Sequence, residues 1–215
     1  MNRRTLVVGT TIIAALLFIG GWFAVERSAP PVLESEAPVG SALVRFHSPV
    51  LGPQDAPVTI VEFFDPACEA CRAMHPVLTE IRERYPTEVR IVMRYAAFHD
   101  GSDIAVRILE TARLQNVFEP VLEALLAAQP QWADHSGARL DIAWAAAAEA
   151  GLDVEKARAE MNRDAINNVL TQDALDVETV RVRQTPTFFV DGRPLLDFGA
   201  QQLIEMVRLQ VESQG

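Results

Sequence analysis

The chain has 215 residues, of which 49% are hydrophobic and 22% are charged, a composition typical of a globular rather than a disordered protein. Its formal net charge of −10 would be repelled by a phosphate backbone, so nucleic acid is not expected as a partner. The two cysteines are Cys68 and Cys71, so no structural disulfide is possible elsewhere in the chain.

The N-terminal segment 1–25 predicts a membrane anchor. Arg3 and Arg4 precede an uncharged apolar run over 6–25, and about 20 apolar residues rising ~1.5 Å each span a bilayer core of ~30 Å. Because a basic start stays in the cytoplasm, we expect a single-pass protein of the bacterial inner membrane with its body in the periplasm. The alternative is a cleaved signal peptide and a soluble periplasmic protein. The apolar run is longer than the ~7–15 residues of a signal peptide, which favours the anchor.

The next segments predict a linker and then a parallel strand pair. Residues 26–41 are rich in Pro, Glu, Ser and Ala and predict an extended linker, and alternation over 41–47 suggests a first strand. The β-branched and aromatic run Val58–Phe64 predicts a buried strand, 67–84 has helical spacing, and Val89–Tyr95 predicts a second buried strand. Together they predict a β-α-β crossover unit.

The region of about 101–180 predicts a helical insertion, because a structureless loop of ~80 residues would be implausible. Its predicted helices begin near Ser102, Asn116, Asp141, Asp153 and Ala165. Beyond it, Thr187–Val190 predicts a strand, Asp191 and Gly192 a hairpin turn, 193–198 a second strand and 200–211 a helix.

A C-x-x-C motif between the first buried strand and its helix indicates thiol redox chemistry. Helix N-terminal amides carry partial positive charge, so a thiolate at Cys68 is stabilised and its pKa falls. Cys71 lies one turn further on, in a more buried place from which it can resolve a mixed disulfide.

Two other interpretations of the motif are weaker. A static disulfide would close a very small loop and stabilise the fold little. A soft metal could be held by Cys68, Cys71 and His75, which fall on one helix face, but a structural zinc site needs a fourth ligand. We therefore expect a redox pair and no metal.

Residues 52–71 and 185–192, with a helical block between them, resemble the DsbA-like thioredoxin-fold proteins, and the likeness covers about 43–211. The resemblance implies an α/β thioredoxin fold with an inserted helical domain, over 42–215. It also implies a thiol–disulfide oxidoreductase whose cofactor is no more than its own redox-active disulfide. Exported protein thiols would be its substrates, and a membrane partner of the DsbB type would reoxidise it.

The resemblance also assigns roles to three further residues. Pro186 matches the cis-proline that faces the cysteine pair, and Thr185 would offer its backbone to a substrate strand; without the resemblance, an ordinary trans proline is equally consistent with the sequence. Glu62 matches an acidic residue beneath the redox pair and would exchange a proton with Cys71. The alternative for Glu62 is an outward-facing residue on a half-exposed strand.

Three charged or titratable residues are candidate modulators. Glu69, between the cysteines, is expected to raise the pKa of Cys68 and to weaken the oxidant. His75, one turn past Cys71, could favour a thiolate, although packing or solvent-facing histidines are more common. His99, after the second strand, has a weaker case.

Three functions follow from these patterns. The first is an oxidase that donates the disulfide between Cys68 and Cys71 to exported proteins. The second is a periplasmic reductase or isomerase; segment 26–41 is too short for the dimerisation module that isomerases of this fold usually carry. The third is a tethered metal-binding or chaperone module.

Overall fold

A computed structural model describes residues 39–134 and 136–214, which fold around a five-stranded mixed sheet. Its strands are β1 (Val50–Leu51), β2 (Val58–Phe64), β3 (Val89–Tyr95), β6 (Thr187–Val190) and β7 (Arg193–Pro194), in the spatial order β1-β3-β2-β6-β7. A small separate hairpin is formed by β4 (Ala133–Asp134) and β5 (Gly137–Ala138).

The helices are α1 (Val39–Leu43), α2 (Glu69–Arg84), α3 (Ser102–Leu114), α4 (Phe118–Trp132), α5 (Leu140–Glu149), α6 (Val154–Glu160), α7 (Asp164–Thr179) and α8 (Ala200–Gln214). Helices α3 to α7 form the predicted helical insertion. They begin within about two residues of the positions expected from the sequence.

Strand β2 is central, and both of its neighbours were predicted correctly. It pairs in parallel with β3 from Val58 opposite Val89 to Phe64 opposite Tyr95, which confirms the β-α-β unit. It pairs antiparallel with β6, which the hairpin turn joins to β7. Asp191 and Gly192 both have positive φ, as that turn requires.

The pleat of β2 separates two hydrophobic clusters. Ile60 and Phe64 belong to the larger cluster, which includes the buried face of α2, whereas Val61 and Phe63 belong to the smaller one. Because alternate residues of a strand point to opposite faces, Glu62 shares the face of Ile60 and Phe64. The carboxyl group is thereby directed to the side of the sheet on which α2 and its cysteine lie.

The predicted strand over 41–47 is wrong, because this segment forms the short helix α1 followed by a turn. Leu43 is buried in the smaller cluster, and the side chains of Arg45 and His47 pair with Asp176 and Asp173 of α7. The alternating pattern therefore reflects side-chain anchoring to a helix rather than a strand ladder.

The second strand of the C-terminal hairpin is limited to Arg193–Pro194, shorter than the predicted 193–198.

The predicted anchor over 1–25 and nearly all of the linker over 26–41 lie outside the described residues. Within those residues, no helix is both long and apolar enough to cross a membrane.

Candidate redox site

Cys68 lies at the junction between the central strand and its helix. It is the N-cap residue of α2, its carbonyl accepts from Arg72 N at 3.1 Å, and its amide donates to Asp65 O at 3.1 Å. Cys68 is 6% exposed and Cys71 is fully buried, and neither is in a disulfide. One sulfur thus faces the surface while the other lies behind it.

The two thiols differ sharply in acidity. The pKa of Cys68 is lowered to about 5, chiefly by the hydrogen bond from the Cys71 thiol and further by Thr185 and the first amides of α2, against the effect of burial. The pKa of Cys71 is raised far above its usual range by burial, by its bond to Cys68 and by the charge of Glu62. At neutral pH the thiolate is therefore Cys68.

Glu62 is a buried carboxyl group on the cysteine side of the sheet. It is 1% exposed, and burial, followed by the charge of Cys68, raises its pKa to about 8. Its Oε1 has no hydrogen-bond partner within the described residues. The structure thus removes the outward-facing alternative and leaves a protonated acid near both thiols at neutral pH.

The loop before β6 faces the same sulfur. The peptide bond between Thr185 and Pro186 is cis, and Thr185 O lies 3.2 Å from Cys68 Sγ, where it can accept from the thiol when Cys68 is protonated. The cis bond and the facing of the pair, expected from the resemblance, are both present.

The two candidate modulators on α2 are placed differently. His75 is engaged by the insertion, since its Nε2 lies 2.7 Å from Glu123 Oε1 of α4. Glu69 is exposed in the first turn of α2, beside Cys68. The hydrogen bonds around Cys68 outweigh any effect of Glu69 on the pKa of that thiol, so the predicted rise is not seen as a net shift.

The position of His75 also bears on the metal interpretation. The proposed third ligand is paired with Glu123 rather than with the cysteines. Across residues 39–134 and 136–214, no three His, Cys, Asp or Glu side chains are grouped as a metal site would require. Among the described residues, His75 is therefore engaged by a carboxylate of α4.

Sequence reasoning assigned no role to Asp65 and gave His99 only a weak case. Asp65 directly follows β2 and is fully buried, and its Oδ2 lies 2.7 Å from His99 Nδ1. Parallel strands end at the same edge of a sheet, so residues just after β2 and β3 are brought together there. That rule was the available signal for pairing these two residues.

A second missed residue, Gln129, connects the insertion to the redox turn. From α4, its Nε2 donates to Pro66 O at 2.8 Å and to Cys68 O at 2.9 Å. Its Oε1 accepts from Arg72 Nε at 2.9 Å. Nothing in the local sequence around Gln129 indicates this contact, because its partners lie some sixty residues away.

A cleft opens beside Cys68, between the start of α2 and the insertion. Its walls are formed by Ala67, Cys68, Glu69, Ala70, His99, Asp100, Ala133, Asp134 and Gly137. A substrate approaching the reactive sulfur from this side would meet one imidazole and several carboxylates.

Comparison with known proteins supports the predicted fold. A sequence model of the family described as Thioredoxin matches residues 46–207. A thioredoxin-like oxidoreductase from Silicibacter pomeroyi DSS-3 is 27% identical, with a TM-score of 0.66 over 78% of this chain and 91% of that one. The α-DsbA1 of Wolbachia pipientis, 16% identical, superposes with a TM-score of 0.68 over 80% of this chain and 94% of that one and shares the fold. These likenesses confirm the predicted DsbA-like thioredoxin fold.

Among curated sequences, the Na(+)/H(+) antiporter NhaA of Herminiimonas arsenicoxydans is 29% identical over 196 residues. The match covers 89% of this chain and 31% of the antiporter. The chain thus spans about a third of the length of the curated relatives that it matches, so the similarity concerns one part of them.

Proposed function

The chain belongs to the thioredoxin family, and we propose that it is a DsbA-like thiol–disulfide oxidoreductase whose redox pair is Cys68 and Cys71. The observation that carries the proposal is the contrast between the two sulfurs. Cys68 lies at a helix N-terminus with a depressed pKa, whereas Cys71 is fully buried with a raised pKa. Such a pair provides one sulfur for attack and one for resolution.

The proposed reaction transfers two electrons from substrate thiols to the disulfide between Cys68 and Cys71. A substrate thiolate attacks Cys68, a mixed disulfide forms, and the electron pair of the broken bond passes to Cys71. Glu62, protonated in its buried site, gives its proton to the Cys71 sulfur. A second substrate thiolate then attacks the substrate sulfur, and Cys68 leaves as a thiolate.

The low pKa of Cys68 favours the oxidase direction. A stabilised thiolate is a good leaving group, and it stabilises the dithiol form relative to the disulfide, which makes the pair a stronger oxidant. Glu69 opposes this effect, so we propose an oxidant of intermediate strength. The alternatives are a reductase, which would require the disulfide form to be favoured, and an isomerase, which would have to act through the reduced Cys68.

We propose that exported proteins bind at the loop containing Thr185 and Pro186. The Thr185 carbonyl is within hydrogen-bond distance of the Cys68 thiol, so a substrate strand pairing there would bring its own sulfur to Cys68. Pro186 has no amide N–H, which keeps this loop from closing a ladder of its own.

The compartment and the redox partner are also proposed. The apolar run over 6–25 supports a single-pass anchor in the bacterial inner membrane, with residues 42–215 in the periplasm. A quinone-linked membrane partner of the DsbB type would reoxidise the pair. We propose no cofactor beyond the redox disulfide, and neither a metal nor nucleic acid as a ligand.

The decisive experiment equilibrates the full chain with defined ratios of reduced and oxidised glutathione and counts free thiols by trapping. A reversible two-electron transition at a potential well above the glutathione poise is expected. A potential well below that poise would make the protein a reductase. A Cys71→Ser variant should accumulate a mixed disulfide with glutathione at Cys68, whereas Cys68→Ser should not; the reverse pattern would contradict the assigned roles.

A further inference from the structure

The cleft beside Cys68 holds an imidazole with one engaged nitrogen and one free nitrogen. His99 Nδ1 lies 2.7 Å from Asp65 Oδ2, and the His99 side chain is 50% exposed. Its Nε2 has no hydrogen-bond partner among the described residues. The ring is therefore anchored on one side and accessible to a bound molecule on the other.

Asp65 holds the imidazole in one orientation. Its carboxylate accepts from the backbone amides of Ala67 at 2.9 Å, Phe98 at 2.7 Å and His99 at 3.1 Å, and from the Ser102 hydroxyl. All of these groups donate to the Asp65 carboxylate, so the carboxylate acts as an acceptor. His99 Nδ1, which faces the same carboxylate, therefore carries the ring proton and donates it in the hydrogen bond. Nε2 of the neutral imidazole then carries the lone pair.

His99 is electrostatically linked to Cys68 across the cleft. Burial lowers the pKa of His99, but the hydrogen bond and charge of Asp65, together with the charge of the Cys68 thiolate, raise it overall. The thiolate exists in the dithiol form and is absent from the disulfide form. The imidazole thus holds a proton more weakly when the enzyme is oxidised and more tightly when it is reduced.

We propose that His99 is a further catalytic residue, whose Nε2 takes the proton of the substrate thiol as the substrate sulfur attacks Cys68. This role rests on the proposed function. The S–H bond of the substrate breaks and its proton goes to Nε2, while a new S–S bond forms to Cys68. The bond between Cys68 and Cys71 breaks, and its electron pair passes to Cys71.

The resulting imidazolium has a second effect in the next step. When the second substrate thiolate releases Cys68, the negative charge appears on the Cys68 sulfur beside the cation. The other charged side chains lining the cleft are the carboxylates of Glu69, Asp100 and Asp134, which would repel that thiolate. Among these groups, an imidazole is the one whose ordinary pKa suits proton exchange near neutral pH.

The test compares two small thiols as reductants of the oxidised full chain, purified in detergent. An alkyl thiol has an ordinary pKa of about 8.5 and must lose its proton to react, whereas an electron-poor aromatic thiol is already a thiolate at neutral pH. In His99→Asn, reduction by the alkyl thiol should be slower by at least about tenfold. Formation of the mixed disulfide by the aromatic thiolate should change by less than about twofold, because no proton has to be removed in that step.

The asparagine side chain can still donate a hydrogen bond to Asp65, so the variant keeps this contact but lacks the imidazole Nε2 that would accept the proton. Equal slowing with both thiols, or none with either, would overturn the role of His99. A second variant, His99→Ala, should regain its rate with the alkyl thiol when free imidazole is added, and absence of rescue would also count against the proposal. If the wild-type disulfide reacted with neither thiol, the proposed function itself would fail.

Discussion

The side-chain amide of Gln129 donates a hydrogen bond to the carbonyl oxygen of Cys68 at 2.9 Å, which joins the helical insertion to the redox turn. The same amide donates to Pro66 O, and Arg72 fixes its orientation by donating to Oε1. Gln129 is 1% exposed, so this contact is shielded from water. The insertion therefore sets the backbone geometry at the start of α2.

Replacement of Gln129 by methionine should disturb both stability and redox chemistry. The change removes the side-chain donor of the Pro66 carbonyl oxygen and leaves the Cys68 carbonyl oxygen with only the Arg72 amide, at a cost of about 1–3 kcal/mol for a lost buried partner. A looser first turn of α2 aims its amides less well at Cys68, so the pKa of that thiol should rise. Urea unfolding and titration of the thiolate absorbance measure the two effects.

Gln131→Met is the matched control, since Gln131 is an exposed residue of the same helix. It should change neither the unfolding free energy nor the titration of Cys68 appreciably. Equal behaviour of the two variants would show that Gln129 does not hold the redox turn.

Cys68 should titrate with a midpoint near pH 5, because its pKa is lowered to about 5. The largest contribution comes from the Cys71 thiol, so Cys71→Ala should move the midpoint upward, whereas Cys71→Ser, which keeps a hydroxyl donor, should move it less. The rate of alkylation of Cys68 as a function of pH gives these midpoints. An unchanged midpoint in Cys71→Ala would refute this account of the thiolate.

The elements that carry local patterns could be predicted from the sequence. The buried strands Val58–Phe64 and Val89–Tyr95 are rich in β-branched and aromatic residues, and C-x-x-C at a strand–helix junction marks the reactive sulfur. The contacts of Asp65 with His99 and of Gln129 with Cys68 depend on tertiary packing between distant segments. Such contacts cannot be predicted from periodicity and spacing. For the same reason segment 41–47 was wrongly predicted to be a strand, since its side chains contact a distant helix.

Glu69→Gln should make the protein a stronger oxidant. Removing this exposed negative charge next to the thiolate should stabilise the dithiol form by at most about 1 kcal/mol, because water screens the repulsion between the two charges. The equilibrium constant with glutathione should therefore shift toward the dithiol by roughly two- to fivefold. Glu80→Gln, an exposed change further along α2, should leave that constant unaltered. A shift in the opposite direction would contradict the assigned effect of Glu69.

Glu62→Gln should make the stability of the reduced protein less dependent on pH. An ordinary glutamate in the unfolded chain has a pKa of about 4.3, and burial in the fold raises that of Glu62 to about 8. A raised folded-state pKa gives stability that is fully present below the unfolded value and is lost as pH rises through the folded one. Between these two pKa values, the unfolding free energy of the wild type should fall by about 1.4 kcal/mol per pH unit because of Glu62.

The variant carries no charge at this position, so the difference in unfolding free energy between variant and wild type should grow by about 2–3 kcal/mol from pH 5 to pH 7. Denaturant unfolding at several pH values under reducing conditions measures this growth, with exposed Glu83→Gln as the control. In the disulfide form the effect should persist but be smaller, because burial is the main cause and the charge of Cys68 the lesser one. Parallel pH profiles for Glu62→Gln and wild type would mean that the carboxyl group is not held protonated. Glu62 would then have no proton to give to Cys71 at neutral pH.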